Sequence, residues 1–278
     1  MGLFSRSFDK PGPGVDPDAP KKRGFFRFFE LVVRKFWNFT KLSPMYVAFL
    51  LPIYILYFLT APFVLNLFSV QATDSIAIIF FGYLTANLMV SLFGGGPVTA
   101  GMTYIMRNYA NEEHAWIWSD FKDNAKSNFK QALVVFLVDL VMLALFYVAI
   151  MVYSSLGGNF RILKYLVFVL LFVYIMMHFY IYPMMVTFKL SLKDLYKNAV
   201  LFAIAKLPLN LFVVLVLVLL HIALPVWIIL SMGKFVAIAA VLYVILEVLL
   251  FQGISIFLTN FAVAKTIKET MLERANEE

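Results

Sequence analysis

The chain has no cysteine and only three histidines. No disulfide, iron–sulfur cluster or zinc–thiolate site can form, and a site built on imidazole has few donors to draw on. Charge is scarce as well: 14% of residues are Asp, Glu, Lys or Arg, against roughly 25% in soluble domains. No H-E-x-x-H, G-x-S-x-G or Walker loop occurs, so the chain lacks a zinc-hydrolase helix, a nucleophile elbow and a nucleotide cradle. We therefore expect no enzyme and no cofactor. Residues 1–24 are polar, carry Pro11, Pro13, Pro17 and Pro20, and contain no apolar run; they do not read as a signal peptide. Arg6 stands where a myristoylation pattern requires Ser or Thr.

What is abundant is apolar surface. Hydrophobic residues make up 63% of 278, more than the roughly 45–50% of soluble domains. The fold class expected is an all-α, polytopic membrane bundle. Twenty of the 23 Lys and Arg fall in residues 1–44, 94–130, 189–206 and 265–278, as nine, four, four and three. Basic loops stay on the cytoplasmic side, so an even number of crossings separates successive basic segments. That gives six spans, about 45–69, 75–93, 131–155, 162–188, 208–231 and 235–260, with both termini cytoplasmic. The net charge of +7 lies beside these spans. It reads as topology and attraction to anionic lipid, with the bilayer as partner and no nucleic acid.

Residues 1–23 read as a flexible basic tail. Over 24–44 the sequence predicts an amphipathic helix in the membrane interface: Arg27, Glu30, Arg34, Asn38 and Lys41 recur at spacings of three and four, opposite a phenylalanine face. A core element packed under the bundle is the alternative. Pro52 and Pro62 predict a kinked first span. Gly94-Gly95-Gly96-Pro97 ends the second span, and Pro97 suits the first turn of a new helix over 98–110. A second short helix is expected from Ser119 as N-cap, with Asp120 in its first turn; Trp116 and Trp118 sit at anchor depth. Gly157-Gly158-Asn159 makes the next outer turn. Ser191 and Asp194 form a capping pattern for a helix over 192–206, and residues 264–278 form a cytoplasmic tail. Lys122-Asp123-x-x-Lys126 recurs as Lys193-Asp194-x-x-Lys197. The recurrence reads either as a parallel duplication or as the common composition of membrane loops.

Four ionisable residues fall inside spans: Asp139, His178, His221 and Glu247. Such residues are costly in a bilayer and mark pathways, relays or interhelical hydrogen bonds. They lie on four different spans, so sequence spacing fixes no geometry between them. His114, beside Glu112 and Glu113, reads as part of a solvated acidic loop.

The stretch Gly96-Pro97-Val98-Thr99-Ala100-Gly101-Met102-Thr103-Tyr104, then Trp118-Ser119-Asp120-Phe121 and Asn124-Ala125-Lys126, resembles the signature of the YesL family of small bacterial membrane proteins, known mainly as a domain of unknown function. Gly2-Leu3-Phe4, the Asp16-Pro17…Lys21-Lys22-Arg23 tail and Asp194-Leu195-Tyr196-Lys197-Asn198-Ala199 resemble it too. The resemblance implies a bacterial plasma-membrane protein linked with carbohydrate uptake, acting as an accessory of ABC-type importers through contact with their permease or ATPase subunits. The contact residues expected on that view are Gly96, Pro97, Gly101, Asp120, Phe121, Lys122, Asp123, Lys193, Asp194 and Lys197. The competing expectation is a secondary transporter or channel for a small solute, using Asp139 and Glu247 beside a polar, water-accessible cavity.

Overall fold

Aromatic packing, more than charge, sets the start of the fold. The computed structural model describes residues 24–60, 62–63, 66, 75–156 and 158–272; the expected tail 1–23, the turn at Gln71–Asp74 and residues 273–278 lie outside these. Helix α1 (Gly24–Arg34) stacks Phe28 on Phe257 at 5.4 Å and meets Phe261 at 5.5 Å. Arg27 and Arg34 both reach Glu112, at 2.9 and 2.8 Å. Exposed pairs of this kind contribute only about 0–1 kcal/mol each, so the buried Leu31 and the Phe28 stack hold the helix down. The chain breaks at Lys35, and α2 (Phe36–Phe58) then runs without interruption through Pro44 and Pro52. The segment expected as one interfacial helix over 24–44 is thus divided between α1 and the first turns of the first apolar helix.

Helices α3 (Ser75–Phe93) and α4 (Pro97–Ala110) meet at a 65° bend. Gly94 and Gly96 take φ of +75° and +63° there, a conformation that side chains resist. Unwound backbone inside a membrane protein must find partners within the protein, and here it does. Thr99 Oγ1 accepts from Gly95 N at 2.6 Å, Tyr182 Oη accepts from Gly96 N at 3.2 Å, and Tyr57 Oη donates to the Gly94 carbonyl at 3.3 Å. The sequence placed the helix after this break in a cytoplasmic segment. The structure encloses it, with most of α4 from Thr99 to Ala110 buried.

Helix α5 (Ile117–Ser127) packs directly on α4. A Cβ on Gly101 would come 2.5 Å from the Phe121 carbonyl oxygen, so glycine is what lets the two backbones approach. The N-cap falls at Trp116, not Ser119, and the Asp120 carboxylate accepts from the Trp116 amide at 2.7 Å. Only Asn128 separates α5 from α6 (Phe129–Ser155). Helix α7 (Leu163–Thr187) returns and passes through Pro183 unbroken. The cap at Ser191 opens α8 (Leu192–Ala205), and Lys206 alone links it to α9 (Leu207–Ser231). The last helix, α10 (Gly233–Met271), is the longest.

Five of these helices are long and apolar enough to cross a membrane, and the bent pair α3–α4 passes the same test together, as a sixth, broken span or as a re-entrant loop. The faces they leave open are apolar: Leu137, Val141, Leu145, Val148 and Val152 recur along α6, all exposed. Water would not tolerate a stripe of that size on a soluble monomer. The chain is an all-helical, multi-pass membrane protein among its described residues.

Candidate functional site: two carboxylate–imidazole pairs

Asp139 on α6 is fully buried. Tyr174 and His178, four residues apart on α7, share the face that meets it. The Tyr174 hydroxyl donates to Asp139 Oδ1 at 2.6 Å, and His178 Nε2 lies 2.7 Å from the same oxygen. The other ring nitrogen, Nδ1, is 2.9 Å from the Tyr174 carbonyl. A carbonyl only accepts, so Nδ1 carries a proton. The short Nε2–Oδ1 contact then holds a second proton, on nitrogen or on oxygen. In either placement the pair is neutral overall, which reduces the cost of burying it in a membrane.

The second pair joins α9 to α10. His221 Nδ1 lies 2.8 Å from Glu247 Oε1, an ion-pair approach out of line for a hydrogen bond, both side chains being essentially inaccessible. Glu247 also accepts from Tyr243 at 3.0 Å and from Gln252 Nε2 at 3.0 Å. Gln252 Nε2 reaches back to Asn87 Oδ1 on α3 at 3.0 Å. His221 Nε2 contacts Ser255 Oγ at 2.8 Å and Ser91 Oγ at 2.9 Å. Three helices thus converge on one polar network. Both members of the pair sit in π-turns, Leu219–Ala223 and Glu247–Phe251. A π-turn adds a residue to the helical register and recurs at functional sites; here the two turns bring His221 and Glu247 to face each other.

The four intramembrane residues that the sequence singled out therefore form two pairs, from four different helices. Each carboxylate also accepts from a tyrosine, and each tyrosine stands four residues before a member of its pair: Tyr174 before His178, Tyr243 before Glu247. That i, i+4 spacing was the readable signal for Tyr174 and Tyr243. Ser91, Asn87, Gln252 and Ser255 had none, because their role depends on which helices become neighbours.

Against His178 and Ser91 lies a chamber of about 30 Å³, with Thr99, Thr103 and Asn260 also in its wall among apolar side chains such as Phe93, Phe179 and Ile256. A vestibule of about 180 Å³ adjoins it, bounded by Arg107, Glu113, Thr187 and Lys268 at the loop end. Pro183 and Asn260 line both spaces. Asn260 is buried; its Nδ2 donates to the Ile256 carbonyl at 2.8 Å, and its Oδ1 has no partner among the described residues. Arg107 is fully engaged, on Asn108 Oδ1, the Val186 carbonyl and Thr187 Oγ1, and so clamps the end of α7.

The residues expected to contact a partner divide by exposure. Gly96, Gly101 and Phe121 are buried and Pro97 and Asp120 half-buried, each in the α4–α5 packing or its caps. Lys122, Asp123, Lys193, Asp194 and Lys197 are exposed on α5 and α8, with Asp194 accepting from the Ser191 hydroxyl at 2.6 Å. His114 rests against the Trp116 ring at 4.7 Å. No three His, Asp or Glu side chains converge as a metal site among the described residues.

No curated protein and no solved structure matches the chain. Residues 62–150 match the model of a family described as "Protein of unknown function, DUF624". YesL proteins belong to that family, so the YesL-like resemblance carried by residues 96–104 and 118–126 falls within the matched stretch.

Proposed function

We propose that the protein is a proton-coupled secondary transporter of the bacterial plasma membrane, non-enzymatic, for a small polar solute. The observation that carries this reading is the pairing of Asp139, His178, His221 and Glu247 into two buried carboxylate–imidazole couples, with a water-sized chamber against His178. A membrane helix that served packing alone has no need of a charge, and charges retained in spans mark relays and substrate paths. Broken or widened helices at the site, α3–α4 and the π-turns of α9 and α10, are the form such sites take in transporters. The test is acidification of a pH dye inside proteoliposomes, under an imposed proton gradient and with small polar solutes added outside. Uptake above that of empty vesicles is expected, and Asp139→Asn or Glu247→Gln should bring it down to the empty-vesicle level. Undiminished uptake in both variants would remove the site from the mechanism.

A second reading keeps the accessory role in ABC-type carbohydrate import. It is favoured by the exposed charges on the free faces of α5 and α8, Lys122, Asp123, Lys193 and Lys197, flanked by exposed Trp116 and Trp118. On this reading a mild-detergent pull-down recovers permease or ATPase subunits, and charge reversal at those four positions abolishes the recovery.

A further inference from the structure

The two pairs differ in one respect that bears on how protons reach them. Both ring nitrogens of His178 are occupied by groups that lead nowhere else: Nδ1 faces the Tyr174 carbonyl and Nε2 faces Asp139. Although His178 lines the chamber, it presents no free nitrogen to it. His221 is placed the other way. Its Nδ1 stands against Glu247, while its Nε2 contacts the hydroxyls of Ser255 and Ser91; the Ser91 hydroxyl, which also reaches Gln252 Oε1 at 3.2 Å, lines the chamber. A hydroxyl both donates and accepts, so Ser91 can pass a proton where a carbonyl cannot.

On the far side of the chamber stands Asn260, 2% exposed, with its amide nitrogen satisfied and its Oδ1 unpartnered. A buried acceptor left bare costs about 1–3 kcal/mol. The chamber volume of about 30 Å³ is enough for a water, and a water there would satisfy it. Asn260 also lines the vestibule, whose outer end carries Arg107, Glu113 and Lys268, residues of the basic-loop side.

We propose that a water held by Asn260 Oδ1 links the vestibule to Ser91. The path Asn260–water–Ser91–His221 is then a proton wire, open to the basic-loop side. A proton arriving at the water is taken up by Ser91 Oγ, which releases its own proton to His221 Nε2. The imidazolium so formed is held by the Glu247 carboxylate 2.8 Å from its Nδ1, so that one proton enters and one is stored on the pair. This entry path does not run through Asp139 and His178, which the transport reading requires at a separate step of uptake. The titratable or charged groups around the wire are Tyr243 on the Glu247 carboxylate, and Arg107, Glu113 and Lys268 at its mouth. On the transport reading, which it extends, the wire gives the site its proton entry and its direction of access. The path itself stands on geometry that is independent of any transported solute.

The test therefore avoids flux. Histidine labelled at its ring nitrogens reports on three rings in this chain, His114, His178 and His221. Exchange of the ring protons with deuterated water, followed by NMR on the full-length protein in detergent, should be rapid at exposed His114, intermediate at His221 and slowest at His178. Ser91→Ala should slow His221 toward the His178 rate and leave His178 unchanged, while Ser91→Thr, which keeps the hydroxyl, should restore it. Asn260→Leu should act like Ser91→Ala. A cysteine at position 260 should react with a small thiol reagent added to the basic-loop side and not with one added to the other side; the cysteine-free chain supplies a clean background. Equal exchange at His221 and His178, or no effect of Ser91→Ala, would overturn the wire and leave the transport reading standing. Undiminished uptake in Asp139→Asn and Glu247→Gln would do the reverse.

Discussion

A buried ion pair is a poor source of stability but a sensitive one. Replacing both partners by apolar residues of similar volume is often neutral, whereas removing one strands the other. For Asp139 and His178 this separates two roles. His178→Ala leaves the carboxylate with Tyr174 alone, and thermal unfolding in detergent should show a loss of about 3–5 kcal/mol. The double variant Asp139→Leu/His178→Leu should recover most of that loss and still fail to take up protons. If the double variant is stable and active, the pair is only a clasp between α6 and α7. This residue-scale detail was half legible. Hydropathy placed all four ionisable residues inside spans, because apart from Lys164 at the start of the fourth nothing else in those stretches is charged. Which histidine meets which carboxylate was not legible, since it depends on the rotation of four helices set by packing far along the chain. The register shifts at Leu219–Ala223 and Glu247–Phe251 make that rotation harder still to extrapolate from a 3.6-residue period.

At the scale of the element, the break between α3 and α4 is the feature the sequence announced most clearly and explained least. Three glycines before a proline had to stop a helix, and Pro97 does open the next one. That next helix is enclosed by its neighbours, which the sequence did not show. Its composition is polar enough for a loop segment, with Thr99, Thr103, Arg107 and Asn108, yet each of these finds its place inside the protein. Thr99 is the keystone: its hydroxyl meets the Tyr46 hydroxyl at 2.8 Å and accepts from Gly95 N. Thr99→Val keeps the shape and removes both bonds. We expect a cost of about 1–3 kcal/mol for each buried donor left unpaired, read as a lowered unfolding temperature. Ser127→Ala, at an exposed helix end, should leave that temperature unchanged. A Thr99→Val protein as stable as the parent would mean that the glycines' backbone preference and the Tyr57 and Tyr182 bonds hold the bend without Thr99.

For the molecule as a whole, the number of crossings turns on this same bend. Five helices span by length alone. If α3 and α4 merely dipped into the membrane and returned, residues 94–130 would lie on the opposite side from residues 1–44, and so would residues 189–206 and 265–278. Eleven basic residues would then face the side from which such residues are excluded, nine remaining behind. If α3 completes a crossing, all twenty lie together. The charges therefore favour six crossings, with α4 lodged among α5, α7 and α10 at the basic-loop end. A reporter active only outside the cytoplasm decides between the two. Fused after Asn111 or at the C-terminus it should be silent, and fused after Asn159 it should be active. In the five-crossing arrangement all three signals invert. Activity after Asn111 would also place the vestibule of Arg107, Glu113 and Lys268 on the outer face, and the proton wire would then draw from the periplasmic side.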